Sequence, residues 1–94
     1  MHFAILNHDK PGSVDLRMKT RETHLAYLRA AGDRLMTAGP ILADDGQTPI
    51  GSLLIVEAED MKAARRFADD DPYARAGLFS SSMIWPWRLV FPEK

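Results

Sequence analysis

Apolar residues occur in short blocks along this chain, and the spacing within the blocks changes. Phe3-Ala4-Ile5-Leu6 is a brief apolar run, closed by the turn-forming stretch Asn7 to Ser13, so it predicts a first strand followed by a loop. From Val14 to about Met36 there is no proline and helix formers dominate, which predicts a first helix with Ser13 or Asp15 as its cap. At about 100° per residue, Leu28, Ala31 and Leu35 share one face, with Leu25 on its flank. Extended backwards, the same face carries His24, Arg21 and Arg17. The stripe is apolar in its second half and cationic in its first.

Leu35 to Ala43 reads as a second strand, edged or bent at Gly39-Pro40, because proline donates nothing to a ladder. Asp44 to Pro49 is a polar hairpin loop. Gly51 to Glu57 is the clearest strand, and its unbroken apolar run implies cover on both sheet faces. Asp60 can cap a second helix from Met61 to about Asp70, with Met61, Ala64, Phe67 and Ala68 inward. Asp71 falls next on that face, and Pro72 ends the helix there. Tyr73 to Phe79 is a turn or extra helical turn closed by Gly77. Ser80 to Phe91 is the last strand. Met83, Trp85, Trp87, Leu89 and Phe91 lie on one side of it, and Pro86 marks an edge or bulge.

The order β-α-β-β-α-β predicts an α+β, ferredoxin-like fold: a four-stranded antiparallel sheet with two helices on one face. The other face then needs cover as well. In a chain this short, a second copy related by a two-fold axis would supply it, so a homodimer is expected.

Ninety-four residues suit a single domain, residues 1–94. The net charge of -1 argues against nucleic acid as a partner. No apolar stretch approaches the roughly 20 residues of a membrane span, and the first residues lack the features of a signal peptide. Cysteine is absent, which removes disulfides and thiolate chemistry and suits a reducing cytoplasm. The three histidines form no metal-binding spacing, so no metal is expected. No phosphate loop is present, and no cofactor is implied.

Two residues put ionisable groups where the pattern predicts an interior. His24 sits where the first helix face turns from cationic to apolar. A histidine there either bonds a carbonyl at the core edge or serves as a general acid or base. Asp71 ends a run of three carboxylates at the end of a helix whose dipole favours cations, so partners are expected for one or more of them. It is either a turn residue, or the partner that orients a histidine, or an acid–base group itself. Arg21 and Arg17 either form a solvated helix start or offer a cationic patch for an anionic ligand. Tyr73 offers a hydroxyl for a ligand oxygen or packs as an amphipathic ring. Ser52 lacks the surroundings of a serine nucleophile. Trp85 and Trp87 suit core or dimer packing better than ligand stacking.

Taken in order, Arg21-x-x-His24-Leu25-x-x-Leu28, Gly39-Pro40, Gly51-Ser52, Asp71-Pro72-Tyr73, Ala76-Gly77-Leu78 and Pro86-Trp87 resemble the YciI-like family over nearly the whole chain. The resemblance implies a dimeric α+β barrel, related in fold to muconolactone isomerases and small cofactor-free monooxygenases. It implies a site built on a His and an Asp, which correspond to His24 and Asp71. Arg21, Ser52 and Tyr73 are the ligand-binding candidates beside that pair. It implies lyase-like chemistry, including dehydrochlorination, for some members. The expected function is cofactor-free acid–base chemistry on a small carbonyl-bearing or aromatic-derived molecule. The alternative is a non-catalytic ligand-binding or accessory dimer. In such a fold the two helices run roughly parallel, with His24 in the middle of one and Asp71 at the end of the other. Contact between them requires the chain after Pro72 to fold back, or one of the pair to reach the site from another direction.

Overall fold

A computed structural model describes residues 1–93. Its first half comprises β1 (His2–Asp9), α1 (Val14–Ala31), a short 3-10 turn (Gly32–Arg34), β2 (Leu35–Leu42) and β3 (Pro49–Glu57). α2 (Met61–Asp70), the one-turn α3 (Pro72–Arg75) and β4 (Phe79–Trp87) follow. The strands lie in the order β2-β3-β1-β4, with every neighbouring pair antiparallel. This is the expected ferredoxin-like α+β arrangement.

The period of two along β1 decides what faces the helices. Phe3 and Ile5 stand opposite Val56 and Leu54 of β3. These four join Ala64 and Ala68 of α2 in one buried cluster, with Leu28, Phe67 and Ile84 packed against it. A large apolar side chain buried this fully contributes roughly 2 kcal/mol. The opposite face of the sheet carries Leu53, Met83 and Trp85, which remain 44%, 43% and 49% exposed. The helices therefore cover one side of the sheet and leave an apolar side open.

Several boundaries differ from the sequence expectation, each for a physical reason. α1 ends at Ala31 rather than Met36, because Gly32 takes φ +58 and breaks the helical path. Leu35 and Met36 are thereby released to begin β2. β1 runs on through Asn7, His8 and Asp9, because it lies centrally and is paired on both sides. β4 stops at Trp87 rather than Phe91: its partner at that point is His2, and β1 offers no residue further along. Met61 is 40% exposed rather than buried, since it opens α2 at the protein surface. Pro40 and Pro86 do sit on the two edge strands. Gly51 is required where it stands, because a Cβ there would overlap the backbone carbonyl oxygen of Asn7 on the neighbouring strand.

Candidate active site

The end of α2 explains its three carboxylates one by one. Asp69 pairs with Arg65 at 3.7 Å, and Asp70 with Arg75 at 2.6 Å. Asp71 takes a different route. Pro72 forces it out of helical geometry, to φ -58 and ψ 131, and starts α3 with proline in its first turn. The Asp71 side chain caps this turn, accepting the Tyr73 N–H at 2.9 Å. The same oxygen, Oδ1, lies 2.9 Å from His24 Nδ1 in a buried contact. The fold-back after Pro72 thus brings the end of the second long helix to the middle of the first.

The carboxylate of Asp71 has no proton to give, so the His24 Nδ1–H donates to it. His24 makes its other contact through its ring face, stacked on Tyr73 at 3.9 Å between centroids and 17° between planes. Tyr73 is 2% exposed, and Arg17 lies over its ring at 4.5 Å. Burial raises the Tyr73 phenol above its ordinary value, against the opposing charges of Arg17 and Arg21, so it stays protonated at neutral pH.

Arg17 is the residue whose surroundings the sequence pattern did not reveal. A place in the cationic half of α1 is equally that of a solvated helix start, yet Arg17 is 5% exposed and lines a cavity. It forks onto Asp9, with Nε to Oδ2 at 2.7 Å and Nη2 to Oδ1 at 2.9 Å. Nη2 also donates to Ser52 Oγ at 2.8 Å. Burial works to lower the Arg17 pKa, but the hydrogen bond and charge of Asp9 outweigh it and raise the value. Asp9 gave no sign in the sequence beyond a place among turn residues. Only the continuation of β1 carries it to the helix.

These groups converge on a cavity of about 290 Å³ between α1 and the β2–β3 side of the sheet. Arg17, Arg21, His24, Ser52 and Tyr73 line it, with apolar walls from Leu25, Leu28 and Leu54. That is the lower end of the range for small-molecule sites, roughly 300–1,000 Å³. Arg21 is exposed and makes no ion pair among the described residues. Asp71 stands behind His24 and is itself 2% exposed. The five residues singled out from the sequence, His24, Asp71, Arg21, Ser52 and Tyr73, are therefore at or directly behind one cavity. Among the described residues, no three His, Asp or Glu side chains gather as a metal site, and no helix is long and apolar enough to cross a membrane.

Fold and site together define a ferredoxin-like α+β domain with a buried His–carboxylate pair beside a small cavity. The YCII-related domain matches residues 1–88, and the chain belongs to this YciI family. It is 39% identical over 98 residues to Protein YciI of Escherichia coli, covering 97% of this chain and 100% of that one. An uncharacterized protein of Haemophilus influenzae is 37% identical over 98 residues, with the same coverage. Among solved structures, the chain is similar to 5-chloro-2-hydroxyhydroquinone dehydrochlorinase, TftG, from Burkholderia phenoliruptrix, in complex with 2,5-dihydroxybenzoquinone. The TM-score is 0.86, with 35% identity and 94% of each chain covered. SnoaB, a cofactor-independent oxygenase from Streptomyces nogalater, shares the fold alone, with a TM-score of 0.61, 15% identity, and 98% and 97% covered.

Proposed function

We propose that this protein is a small cofactor-free enzyme that uses His24 and Asp71 for acid–base chemistry on a carbonyl-bearing or aromatic-derived molecule. The observation carrying this reading is the His24–Asp71 bond of 2.9 Å beside the cavity. With Nδ1 committed to the carboxylate, Nε2 is the free basic nitrogen, and Asp71 stabilises the imidazolium formed when it takes a proton. Arg21 attracts an anionic ligand, and the Ser52 and Tyr73 hydroxyls bind its oxygens.

The similarity to TftG supports an elimination. Nε2 removes a proton from a ring hydroxyl of the ligand. The freed electron pair forms a carbonyl, and His24 returns the proton to the ring carbon that bears chlorine, which becomes tetrahedral. Nε2 then removes a proton from a second ring hydroxyl; its electron pair forms a second carbonyl, the adjacent C=C pair shifts to the chlorine-bearing carbon, and chloride leaves. The proton then passes from His24 to solvent, so the net change is loss of HCl.

The second part of the proposal is a homodimer, closed by packing the open sheet face with Leu53, Met83 and Trp85 against a second copy. A chain without cysteine suits the cytoplasm, where we propose it works.

The test is chloride release from 5-chloro-2-hydroxyhydroquinone by the purified protein. Wild type is expected to release chloride. His24→Ala is expected to keep its circular dichroism spectrum and lose at least about 100-fold in rate, the contribution of a positioned base. Undiminished turnover in His24→Ala removes His24 from the chemistry. Binding of 2,5-dihydroxybenzoquinone with no turnover would favour the non-catalytic ligand-binding module instead.

A further inference from the structure

The Ser52 hydroxyl can donate one hydrogen bond and accept two, and the structure shows it only as an acceptor. Its oxygen accepts from Arg17 Nη2 at 2.8 Å in a buried contact. A guanidinium has donors and no acceptor, so this bond cannot run the other way. Arg17 cannot swing aside, because Asp9 holds it through two parallel hydrogen bonds at 2.7 and 2.9 Å. Both side chains are sealed from water, at 6% and 5% exposure for Arg17 and Asp9. The Asp9 carboxylate also offsets the Arg17 charge, leaving Arg21 as the uncompensated cation of the cavity.

The Ser52 O–H is therefore left to find an acceptor. No hydrogen bond donated by Ser52 occurs among the described residues, where its one side-chain partner is Arg17. The neighbour across the ladder is Asn7, whose buried Oδ1 receives no hydrogen bond among the described residues, from Ser52 or from any other. Ser52 lines the same cavity as His24 and Tyr73.

We infer that the buried Asp9–Arg17 pair is a positioning device that makes Ser52 a hydrogen-bond donor toward the cavity, so that the site selects ligands presenting a carbonyl or oxyanion oxygen at that point. This inference rests on the ligand site proposed above and adds a direction to it. A ligand that presents only a donor at that point leaves the Ser52 O–H without an acceptor and binds more weakly, because an unpaired buried donor costs free energy. Ser52 touches the ligand. Asp9 and Arg17 act through Ser52.

The experiment is a titration with 2,5-dihydroxybenzoquinone, whose visible absorption band responds to hydrogen bonding at its oxygens. Wild type is expected to bind it with a displaced band. Ser52→Ala is expected to bind about tenfold more weakly and to lose the displacement. Ser52→Thr, which keeps the hydroxyl, is expected to restore both. Removing Asp9 would strand a buried guanidinium and is expected to unfold the domain, so Arg17→Lys carries the test of the pair. Lysine keeps the charge but lacks the fork, and the variant is expected to behave as Ser52→Ala does while retaining its circular dichroism spectrum. Ser52→Ala binding within twofold of wild type, with the band displaced as before, overturns the inference. Arg17→Lys behaving as wild type overturns the role of the pair. Failure of wild type to bind the quinone overturns the proposed ligand site and this inference with it, a result distinct from the other two.

Discussion

Replacing Asp71 with alanine removes two buried hydrogen bonds made by one oxygen, those from His24 Nδ1 and from the Tyr73 N–H, each at 2.9 Å. Loss of the cap on α3 costs about 1 kcal/mol. Loss of a charged acceptor, with the imidazole N–H left unpaired in the interior, costs about 2 kcal/mol. Asp71→Ala is thus expected to destabilise by about 3 kcal/mol, a large part of the roughly 5–15 kcal/mol a domain possesses. Asp71→Asn keeps a capping oxygen and is expected to lose only about 1 kcal/mol. His24→Ala loses the same hydrogen bond together with the stacked contact on Tyr73. The shared bond can be lost only once, so the double variant should be about 1.5 kcal/mol more stable than the sum of the singles implies. Urea unfolding followed by circular dichroism measures all four corners of the cycle. With a slope near 1 kcal/mol per molar, Asp71→Ala should move the midpoint by about 3 M. Protein concentration must be held constant, because self-association adds to apparent stability. Losses that add to within about 0.5 kcal/mol would refute the bond and the reasoning built on it.

Gly51→Ala should destabilise by about 1–3 kcal/mol, read by thermal melting, because the new methyl group meets the Asn7 carbonyl of the central strand rather than a movable side chain. Trp85→Asp places a charge on the open sheet face and should convert a dimer to a folded monomer in sedimentation analysis; a wild-type monomer would refute the proposed association. The Thr48 hydroxyl, then the Thr48 and Gln47 N–H groups, hold the Asp45 carboxylate down at about 2. Its folded value is thus lower than its unfolded value of about 3.9, so the stability it contributes is fully present above that unfolded value. It is lost as pH falls through about 2, and a carbon-13 titration of Asp45 should show the low midpoint.

The candidate site was legible in the sequence to unequal degrees. His24 stood out because it sits where a helix face turns from cationic to apolar, a signal carried by residues within two turns of it. Asp71 stood out because proline follows it and two carboxylates precede it at a helix end. Gly51-Ser52 stood out at the head of the most apolar strand. Asp9 carried no such signal, since a lone carboxylate among turn residues looks the same whether it faces water or a buried arginine. Arg17 was placed with Arg21 and His24, but its burial against Asp9 was not legible, because helical periodicity gives the face a residue occupies and says nothing of what waits opposite. Reading β4 through Phe91 failed for a related reason: alternation continues in the sequence, but a strand lasts only as long as its partner.

What the sequence alone determined is the order of elements and the fold that follows from it; it also singled out His24 and Asp71 as candidates. Those signals are local: period, capping residues, proline and glycine. The tertiary structure alone decided that His24 and Asp71 touch, across 47 residues of chain, and that Arg17 bridges Asp9 to Ser52. The physical reason is that hydrogen-bond partners must meet within about 3 Å. Such distances depend on how β1 extends and how the chain turns after Pro72, which no local pattern specifies.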